Sequence, residues 1–292
     1  MMTQTSAWFM ATRPKTLFAS MGPVLLGLFL CLQTGKDLSP FIAFLTITSA
    51  LLMQIGTNLV NDYFDFKTGV DSENRLGPKR VTSEGLLSPN KVKNGYQFCF
   101  SLAFILGIYL MIVGGTPIIV IGLLSLLTAY IYTGGPFPLS HHGLGEITAL
   151  IFFGPLAVWG TFFLQTNKMD IFPLLVGMGP GLIAAALMSI NNLRDIVSDK
   201  KAGKKTLAVL LGEKRARLLS LLFILFSGII PLFCYALNPR PLLILSALSP
   251  YLFWKWWQKL RIGPIDESLN LVLAKTGQYL FLYSLLFGIG FL

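Results

Sequence analysis

Long apolar runs separated by shorter polar segments dominate the chain from about residue 17 to its end. Each run is about 20 residues long, which is the length that an α-helix needs to cross the hydrocarbon core of a bilayer. The runs are continuous rather than alternating, so the pattern excludes a membrane β-barrel. We therefore predict an all-α, polytopic membrane protein with nine transmembrane helices. The predicted spans cover residues 17–34, 40–61, 95–114, 117–133, 145–165, 171–191, 217–237, 241–257 and 273–292.

The composition agrees with this pattern. Of the 292 residues, 54% are hydrophobic and 12% are charged, whereas soluble domains have about 25% charged residues. We interpret residues 1–292 as a single transmembrane domain. The first run follows Arg13 and Lys15 and lacks a small-residue cleavage site after it, so we predict a retained helix rather than a signal peptide. The three cysteines have no metal-type spacing and are expected to pack as small apolar residues.

The placement of the basic residues predicts the orientation. With the N-terminus inside, 20 of the 23 Lys and Arg residues fall on the cytoplasmic side, and only Lys36, Lys168 and Arg240 fall outside. This bias follows the positive-inside rule and predicts an external C-terminus in the cell (inner) membrane. It also explains the net charge of +10 without nucleic acid as a partner; the lipid bilayer is the expected partner instead.

Two long cytoplasmic connections, 58–94 and 191–216, share one internal order. The first contains "NDYFD" (61–65) and then "GPKRVTSEG" (77–85), and the second contains "NNLRD" (191–195) and then "GKKTLAVLLG" (203–212). Both run from a helix end through Asn-x-x-x-Asp, Gly, paired basic residues, Thr and Gly into a new helix. Four predicted spans lie between them, so both loops face the same side and we expect them to build one site.

The polar residues of each loop have the chemistry of a magnesium site. In the first loop they recur at i, i+3, i+4 and i+7 from Asn58, so they share one helical face. Carboxylate and amide oxygens suit Mg²⁺, which uses few protein carboxylates together with substrate phosphate oxygens. The predicted metal ligands are Asn61, Asp62, Asp65, Asn191, Asn192, Asp195 and Asp199. The adjacent basic residues predicted to bind a lipid diphosphate are Lys79, Arg80, Lys204 and Lys205.

These motifs, with "RPKTL" at 13–17, resemble the UbiA superfamily of intramembrane aromatic prenyltransferases. The longer strings "NDYFDFKTGVD", "YTGGPFPLSHHGLGE" and "NNLRDIVSDKKAGKKTLAVLLG" resemble the branch that prenylates 1,4-dihydroxy-2-naphthoate. The resemblance covers essentially the whole chain and implies helices around a central cavity. In many members the first motif has a further acid where Gly69 stands here, so Asp71 is the candidate substitute for that metal ligand.

The resemblance implies Mg²⁺-dependent transfer of a polyprenyl group from an allylic diphosphate to dihydroxynaphthoate, with loss of diphosphate and CO2, giving demethylmenaquinol. It implies a catalytic set at the cytoplasmic face made of Asn61, Asp62, Asp65 and Asp195. The candidate acceptor-binding residues are Arg194, Tyr132, Glu146 and His141. For Arg194 an ion pair with a neighbouring acid is equally open, and for His141 simple exposure is the alternative.

Other functions remain open at this point. Within the same class, the acceptor is alternatively 1,4-dihydroxy-6-naphthoate, 4-hydroxybenzoate or a homogentisate-like ring. A membrane transporter with an acidic ion site is the alternative from another class, because intramembrane acids mark ion paths and internal repeats suit alternating access. Here the acids cluster in basic loops at one face, whereas a transporter site usually lies near the midplane. A lipid phosphatase requires a nucleophile or base beside the phosphate, and none is evident.

Overall fold

The structure is a computed structural model that describes residues 3–69, 76–78 and 80–292, so Asp71 and Lys79 lie outside the described residues. The described chain is helical and contains no strand. The α-helices are α1 (Gln4–Thr12), α2 (Pro14–Gln33), α3 (Pro40–Lys67), α4 (Pro89–Ile131), α5 (Gly145–Phe152), α6 (Pro155–Thr166), α7 (Phe172–Arg194), α8 (Ile196–Lys201), α9 (Leu207–Leu211), α10 (Glu213–Leu237), α11 (Leu243–Leu248), α12 (Trp254–Ile262) and α13 (Leu269–Ile289). Two short 3-10 helices cover Leu139–His141 and Ser249–Phe253.

Seven helical segments of the described chain are long and apolar enough to cross a membrane. They are α2, α3, α4, the pair α5 and α6 over Gly145–Thr166, α7, α10 and α13. The prediction of an all-α, multi-pass membrane protein is therefore confirmed. The count of nine spans and the orientation of the termini stay predictions.

The helix α4 contains two of the predicted spans, 95–114 and 117–133. Gly115 interrupts it with φ 59° and ψ −153°, a backbone conformation that favours glycine. The ring centroids of Tyr96 and Tyr130 are 6.4 Å apart, whereas a straight helix would separate these residues by about 50 Å. The two arms of α4 therefore fold back on each other at Gly115.

The predicted continuous helix over 241–257 differs in the structure. This region consists of α11, the 3-10 helix Ser249–Phe253 and α12, which follow one another without a gap. Pro250 lies in the middle and cannot donate the hydrogen bond that a continuous α-helix requires. The carbonyl of Pro250 accepts a hydrogen bond from the indole N–H of Trp257 at 2.8 Å. The apolar pattern thus predicted the position of this run and missed its interruption.

Close helix contacts through glycine set the positions of α5 and of the start of α6 against α7. A Cβ atom built on Gly181 would lie 2.5 Å from the carbonyl oxygen of Leu150, and one built on Gly177 would lie 2.7 Å from Pro155 Cα. Small residues of this kind let helix backbones approach closely in membranes, where packing rather than the hydrophobic effect drives association. This approach places Glu146, in the first turn of α5, next to Asn192 near the end of α7.

Candidate active site

A cavity of about 430 Å³ lies between the long helices and has two chemically different regions. One region is apolar and lies near the reversal of α4, where Leu110 and Ile118 pack with Leu45 from the start of α3. The other region lies where α3 and α7 end. Its lining includes Asn58, Asn61, Asp65, Arg80, Asn191, Asn192, Asp195, Asp199 and Lys204. The two acidic loops therefore meet on one cavity, as their shared order predicted.

The first motif belongs to the last turns of α3, which continues to Lys67, beyond the predicted end of the span at residue 61. Asp65 is 4% exposed and pairs with Arg80, whose Nη1 lies 2.5 Å from Asp65 Oδ2. The same Nη1 donates to the carbonyl of Asn61 at 2.7 Å. The side chain of Asn61 accepts a hydrogen bond from the hydroxyl of Thr133. Arg80 therefore fixes the end of the motif helix.

Asp62 makes different contacts from its neighbours. Its Oδ2 accepts a hydrogen bond from the backbone N–H of Val81 at 3.2 Å. Its Oδ1 lies 3.8 Å from Arg80 Nε and 3.9 Å from Arg13 Nη2. The predicted role of Asp62 was metal ligation. In the structure its carboxylate ties Arg80 and Val81, in the loop after α3, to that helix, and its role as a metal ligand stays a prediction.

The second motif lies at the junction of α7 and α8. Asp195 follows the last residue of α7 and precedes α8, which carries Asp199. Arg194 is 2% exposed and donates to both carboxylate oxygens of Asp195, from Nε at 2.8 Å and from Nη2 at 2.5 Å. Of the two interpretations that the sequence left open for Arg194, the structure shows the ion pair with a neighbouring acid.

Lys204 connects the two motifs directly. Its Nζ lies 3.5 Å from Asp65 Oδ1 and 3.5 Å from Asp199 Oδ1. Burial raises the pKa of Asp199 to about 6, and the nearby charges of Asp195 and Asp65 add to this rise while Lys204 opposes it. A nearby positive charge favours the ionised form of these carboxyl groups, and in the structure Lys204 supplies that charge.

The donor set fits Mg²⁺ only together with a further anionic ligand. Among the described residues, no three Asp, Glu, His or Cys side chains are grouped closely enough to hold a metal ion. Mg²⁺ typically uses one or two protein carboxylates and takes its other ligands from phosphate oxygens and water. The cavity offers Asp65, Asp195 and Asp199 with the amides of Asn61 and Asn192. These residues can hold Mg²⁺ if a diphosphate completes the coordination.

The remaining predicted residues each have a described contact of their own. Tyr132 lines the cavity and donates its hydroxyl to the sulfur of Met188 at 3.0 Å. Glu146 is 2% exposed and accepts a hydrogen bond from Asn192 Nδ2 at 3.0 Å. The backbone carbonyl of His141 accepts from the N–H of Lys205 at 2.9 Å. Burial lowers the pKa of His141, and the charge of Lys204 lowers it further.

Two contributors to this region escaped the sequence analysis. Thr133 bonds to Asn61, and Asn270 on α13 bonds to Arg194. Thr133 lies in the string "YTGGPFPLSHHGLGE", but nothing in that string indicates a contact with Asn61, 72 positions away. Asn270 was visible only as a single amide at the start of the last apolar segment. Such a position is usually exposed, so the signal was weak.

Comparison with known proteins supports the resemblance to the UbiA superfamily that the motifs indicated. Residues 20–288 match the model of the UbiA prenyltransferase family. The 1,4-dihydroxy-2-naphthoate octaprenyltransferase of Escherichia coli (strain K12) is 37% identical over 220 residues, which are 73% of this chain and 71% of that protein. The enzyme of the same name from Bacillus subtilis (strain 168) is 35% identical over 243 residues, 83% of this chain and 75% of that protein.

The fold is also that of a solved structure. A UbiA homologue from Archaeoglobus fulgidus, determined bound to DMAPP and Mg²⁺, superimposes with a TM-score of 0.69 at 17% identity. The superposition covers 98% of this chain and 99% of the homologue. At this identity the likeness supports the fold, and the family assignment rests on the sequence matches. The chain therefore belongs to the UbiA prenyltransferase family and is a membrane-bound prenyltransferase.

Proposed function

We propose that the protein transfers a polyprenyl group from an allylic diphosphate to 1,4-dihydroxy-2-naphthoate, releasing diphosphate and CO2 and giving demethylmenaquinol. One observation carries the proposal: two acidic motifs about 130 residues apart line one end of a cavity whose other end is apolar. A diphosphate and a polyprenyl chain require these two environments at one site. The names of the relatives from E. coli and B. subtilis support the naphthoate acceptor.

The polar end binds the diphosphate in this proposal. Asp65, Asp195 and Asp199, with the amides of Asn61, Asn191 and Asn192, are the residues that would hold Mg²⁺ beside the diphosphate. When bound, Mg²⁺ supplies Lewis-acid stabilisation of the leaving group. Arg80 and Lys204 line the same end and neutralise part of the charge that develops on the diphosphate. Lys79 and Lys205 are further proposed contacts of the same type, with Lys79 outside the described residues.

The apolar end holds the prenyl chain and keeps water from the reacting carbon. Leu110, Ile118, Ile121 and Leu164 line this part of the cavity. The allylic C–O bond breaks and its electron pair goes to the diphosphate. The ring carbon that carries the carboxylate forms the new C–C bond, and CO2 leaves with its bonding pair remaining on the ring. Exclusion of water matters because hydrolysis of the allylic cation competes with transfer.

The acceptor ring is proposed to lie between the two ends, beside Tyr132. Among the described residues, the hydrogen bond of the Tyr132 hydroxyl goes to the thioether of Met188, which is a weak acceptor. A hydroxyl group of the aromatic substrate offers the Tyr132 hydroxyl a stronger hydrogen-bond acceptor. Glu146 and His141 belong to the same neighbourhood and are the further candidates for this contact. The fork of Arg194 is engaged with Asp195, so Arg194 orients that carboxylate and is not proposed to bind the carboxylate of the aromatic substrate.

We further propose that this site faces the cytoplasm, with an internal N-terminus and an external C-terminus. The distribution of basic residues supports this orientation. We expect a reporter fused after Leu292 to be active outside and a reporter inserted at Glu84 to be active inside. A C-terminal fusion that is active in the cytoplasm contradicts the orientation.

The function is tested with purified protein, Mg²⁺, a polyprenyl diphosphate and a set of aromatic acceptors, with products identified by mass. We expect a product from 1,4-dihydroxy-2-naphthoate whose mass equals the acceptor plus the prenyl group minus CO2. A product formed only with 1,4-dihydroxy-6-naphthoate, 4-hydroxybenzoate or homogentisate overturns the proposed acceptor and keeps prenyl transfer. Free prenyl alcohol with diphosphate or phosphate, and no prenylated ring, overturns transfer itself.

A further inference from the structure

The first turn of α13 contacts both motif loops through one side chain, that of Asn270. Its Nδ2 donates to the backbone carbonyl of Leu76 at 2.7 Å, across 194 positions of the sequence. Its Oδ1 accepts from Arg194 Nη1 at 2.9 Å. Leu76 belongs to the first motif loop and Arg194 to the second. Asn270 therefore joins two segments that bear the acidic motifs, from a helix that bears neither motif.

The orientation of this amide follows from its partners. The backbone carbonyl of Leu76 only accepts hydrogen bonds, and the guanidinium of Arg194 only donates them. In the opposite orientation the amide NH2 of Asn270 would face the N–H donors of Arg194, and the amide oxygen would face the carbonyl oxygen of Leu76. An asparagine satisfies both partners in one orientation, whereas aspartate satisfies only Arg194 and leucine satisfies neither.

With the contact to Asn270, each of the three nitrogens of the Arg194 guanidinium donates a hydrogen bond. Beyond its two bonds to Asp195, the Nη2 of Arg194 donates to Asn191 Oδ1 at 2.9 Å. The guanidinium is a planar, rigid fork, so a bond at Nη1 restrains the same plane that carries the bonds to Asp195. Asn270 thereby restrains the orientation of the Asp195 carboxylate, although it does not touch that residue in the described contacts.

The hydrogen bond from Asn270 to the Leu76 carbonyl affects the first motif loop. Leu76 precedes Arg80 by four positions, and Arg80 pairs with Asp65 at 2.5 Å. Anchoring the Leu76 carbonyl limits where the segment that carries Arg80 can lie. Loss of this anchor leaves Asp65 in place, because Asp65 is on α3, and removes one of the contacts that hold the segment carrying Arg80; the bonds of Arg80 and Val81 to α3 are the others described above.

We propose that Asn270 is a positioning residue that couples the two motif loops, and thus aligns Asp195 and Arg80 on the same diphosphate. The inference rests on the proposed function. It predicts that the geometry of the diphosphate site depends on α13, and that this dependence runs through Arg194 on one side and through the Leu76 carbonyl on the other.

Two substitutions separate the two contacts. Asn270→Asp keeps an acceptor for Arg194 and loses the donor to Leu76, so we expect a raised KM for the allylic diphosphate and a smaller change in kcat. Asn270→Leu loses both contacts, and we expect kcat/KM to fall about 10-fold to 100-fold, the range for hydrogen bonds to charged groups. The matched control is Gln278→Leu on the same helix, which is exposed and bonds only to Lys275 in the described contacts; it should keep wild-type kinetics.

A double-mutant cycle tests the route through Arg194. Arg194→Lys replaces the fork with a point charge, so the further change Asn270→Leu should then cost clearly less than it does alone. Fully additive losses overturn the route through Arg194. If Asn270→Leu fails to fold, the Asn270→Asp variant still tests the Leu76 contact.

Binding of inorganic diphosphate in the presence of Mg²⁺ provides a readout that does not require the acceptor. We expect both Asn270 variants to bind it more weakly than the wild type and the Gln278 variant. Wild-type affinity together with wild-type kinetics in both folded Asn270 variants overturns the proposal. If the wild-type protein prenylates none of the acceptors, the proposed function fails, and the diphosphate affinities still decide the role of Asn270.

Discussion

Replacing either Asp65 or Asp195 by alanine should lower kcat at least about 100-fold, and the double variant should be only slightly worse than either single one. The two carboxylates line the same cavity, one from α3 and the other from the junction of α7 and α8. Removing one preorganised group that stabilises developing charge typically costs about 10²–10³ in kcat. Residues that act as a unit are grossly non-additive, so the second loss should add little.

Steady-state kinetics in both substrates, on folded variants in membranes or detergent, check this prediction. The matched control is Asp37→Ala, which removes an exposed carboxylate from a short connection on the predicted external side and should leave kcat unchanged. The pair Lys204→Gln and Arg80→Gln should raise the KM for the allylic diphosphate more than that for the acceptor. Near-normal turnover in Asp195→Ala, combined with an inactive Asp65→Ala, would show that the two loops do not share one site.

Removing divalent cations should abolish turnover, and Mg²⁺ should restore it. Asp65, Asp195 and Asp199 lie around one end of the cavity, and a diphosphate there adds further negative charge. In the structure Lys204 bridges Asp65 and Asp199, and Arg80 and Arg194 pair with Asp65 and Asp195. The carboxylates offset much of the positive charge of Lys204, Arg80 and Arg194, so these cations alone neutralise only part of the charge of an incoming diphosphate. The remaining repulsion should prevent productive binding.

The measurement is turnover after exhaustive chelation, followed by stepwise addition of Mg²⁺, Mn²⁺ and Ca²⁺. We expect recovery with Mg²⁺ and Mn²⁺ and poor recovery with Ca²⁺, whose larger and more flexible coordination suits this donor set less well. Affinity for inorganic diphosphate should follow the same order, which separates a binding defect from a chemical one. Full turnover after chelation would exclude the metal-bridged arrangement.

The candidate active site shows how much of a site can be predicted from the spacing of residues. Spacing of three and four positions placed Asn61, Asp62 and Asp65 on one helical face, because the geometry of an α-helix is local and nearly invariant. In the structure Asn61 and Asp65 line the cavity, whereas the carboxylate of Asp62 contacts Val81 and Arg80. A helical face is wide enough to meet two different neighbours, and only packing decides which side chain meets which.

Arg194 shows that the charge of a residue, like its spacing, does not by itself identify its partner. From the sequence, its guanidinium was equally suited to a substrate carboxylate and to a neighbouring acid. The structure pairs it with Asp195 and supports it with Asn270, 76 positions away. No local pattern contains such a partner, because the contact arises from the approach of α13 to the end of α7.

By itself, the sequence determined the helical membrane class and the two related polar loops. Both follow from local properties: the length of apolar runs against the bilayer thickness and the repeated order of polar residues. The sequence also predicted two spans, 95–114 and 117–133, which meet where α4 reverses at Gly115. Only the tertiary structure decided which partners hold each motif residue, as in the bonds of Asp62 to Val81 and of Arg194 to Asn270. These contacts depend on close packing between segments far apart in the chain, where one shared hydrogen bond selects among arrangements that the local pattern leaves equivalent.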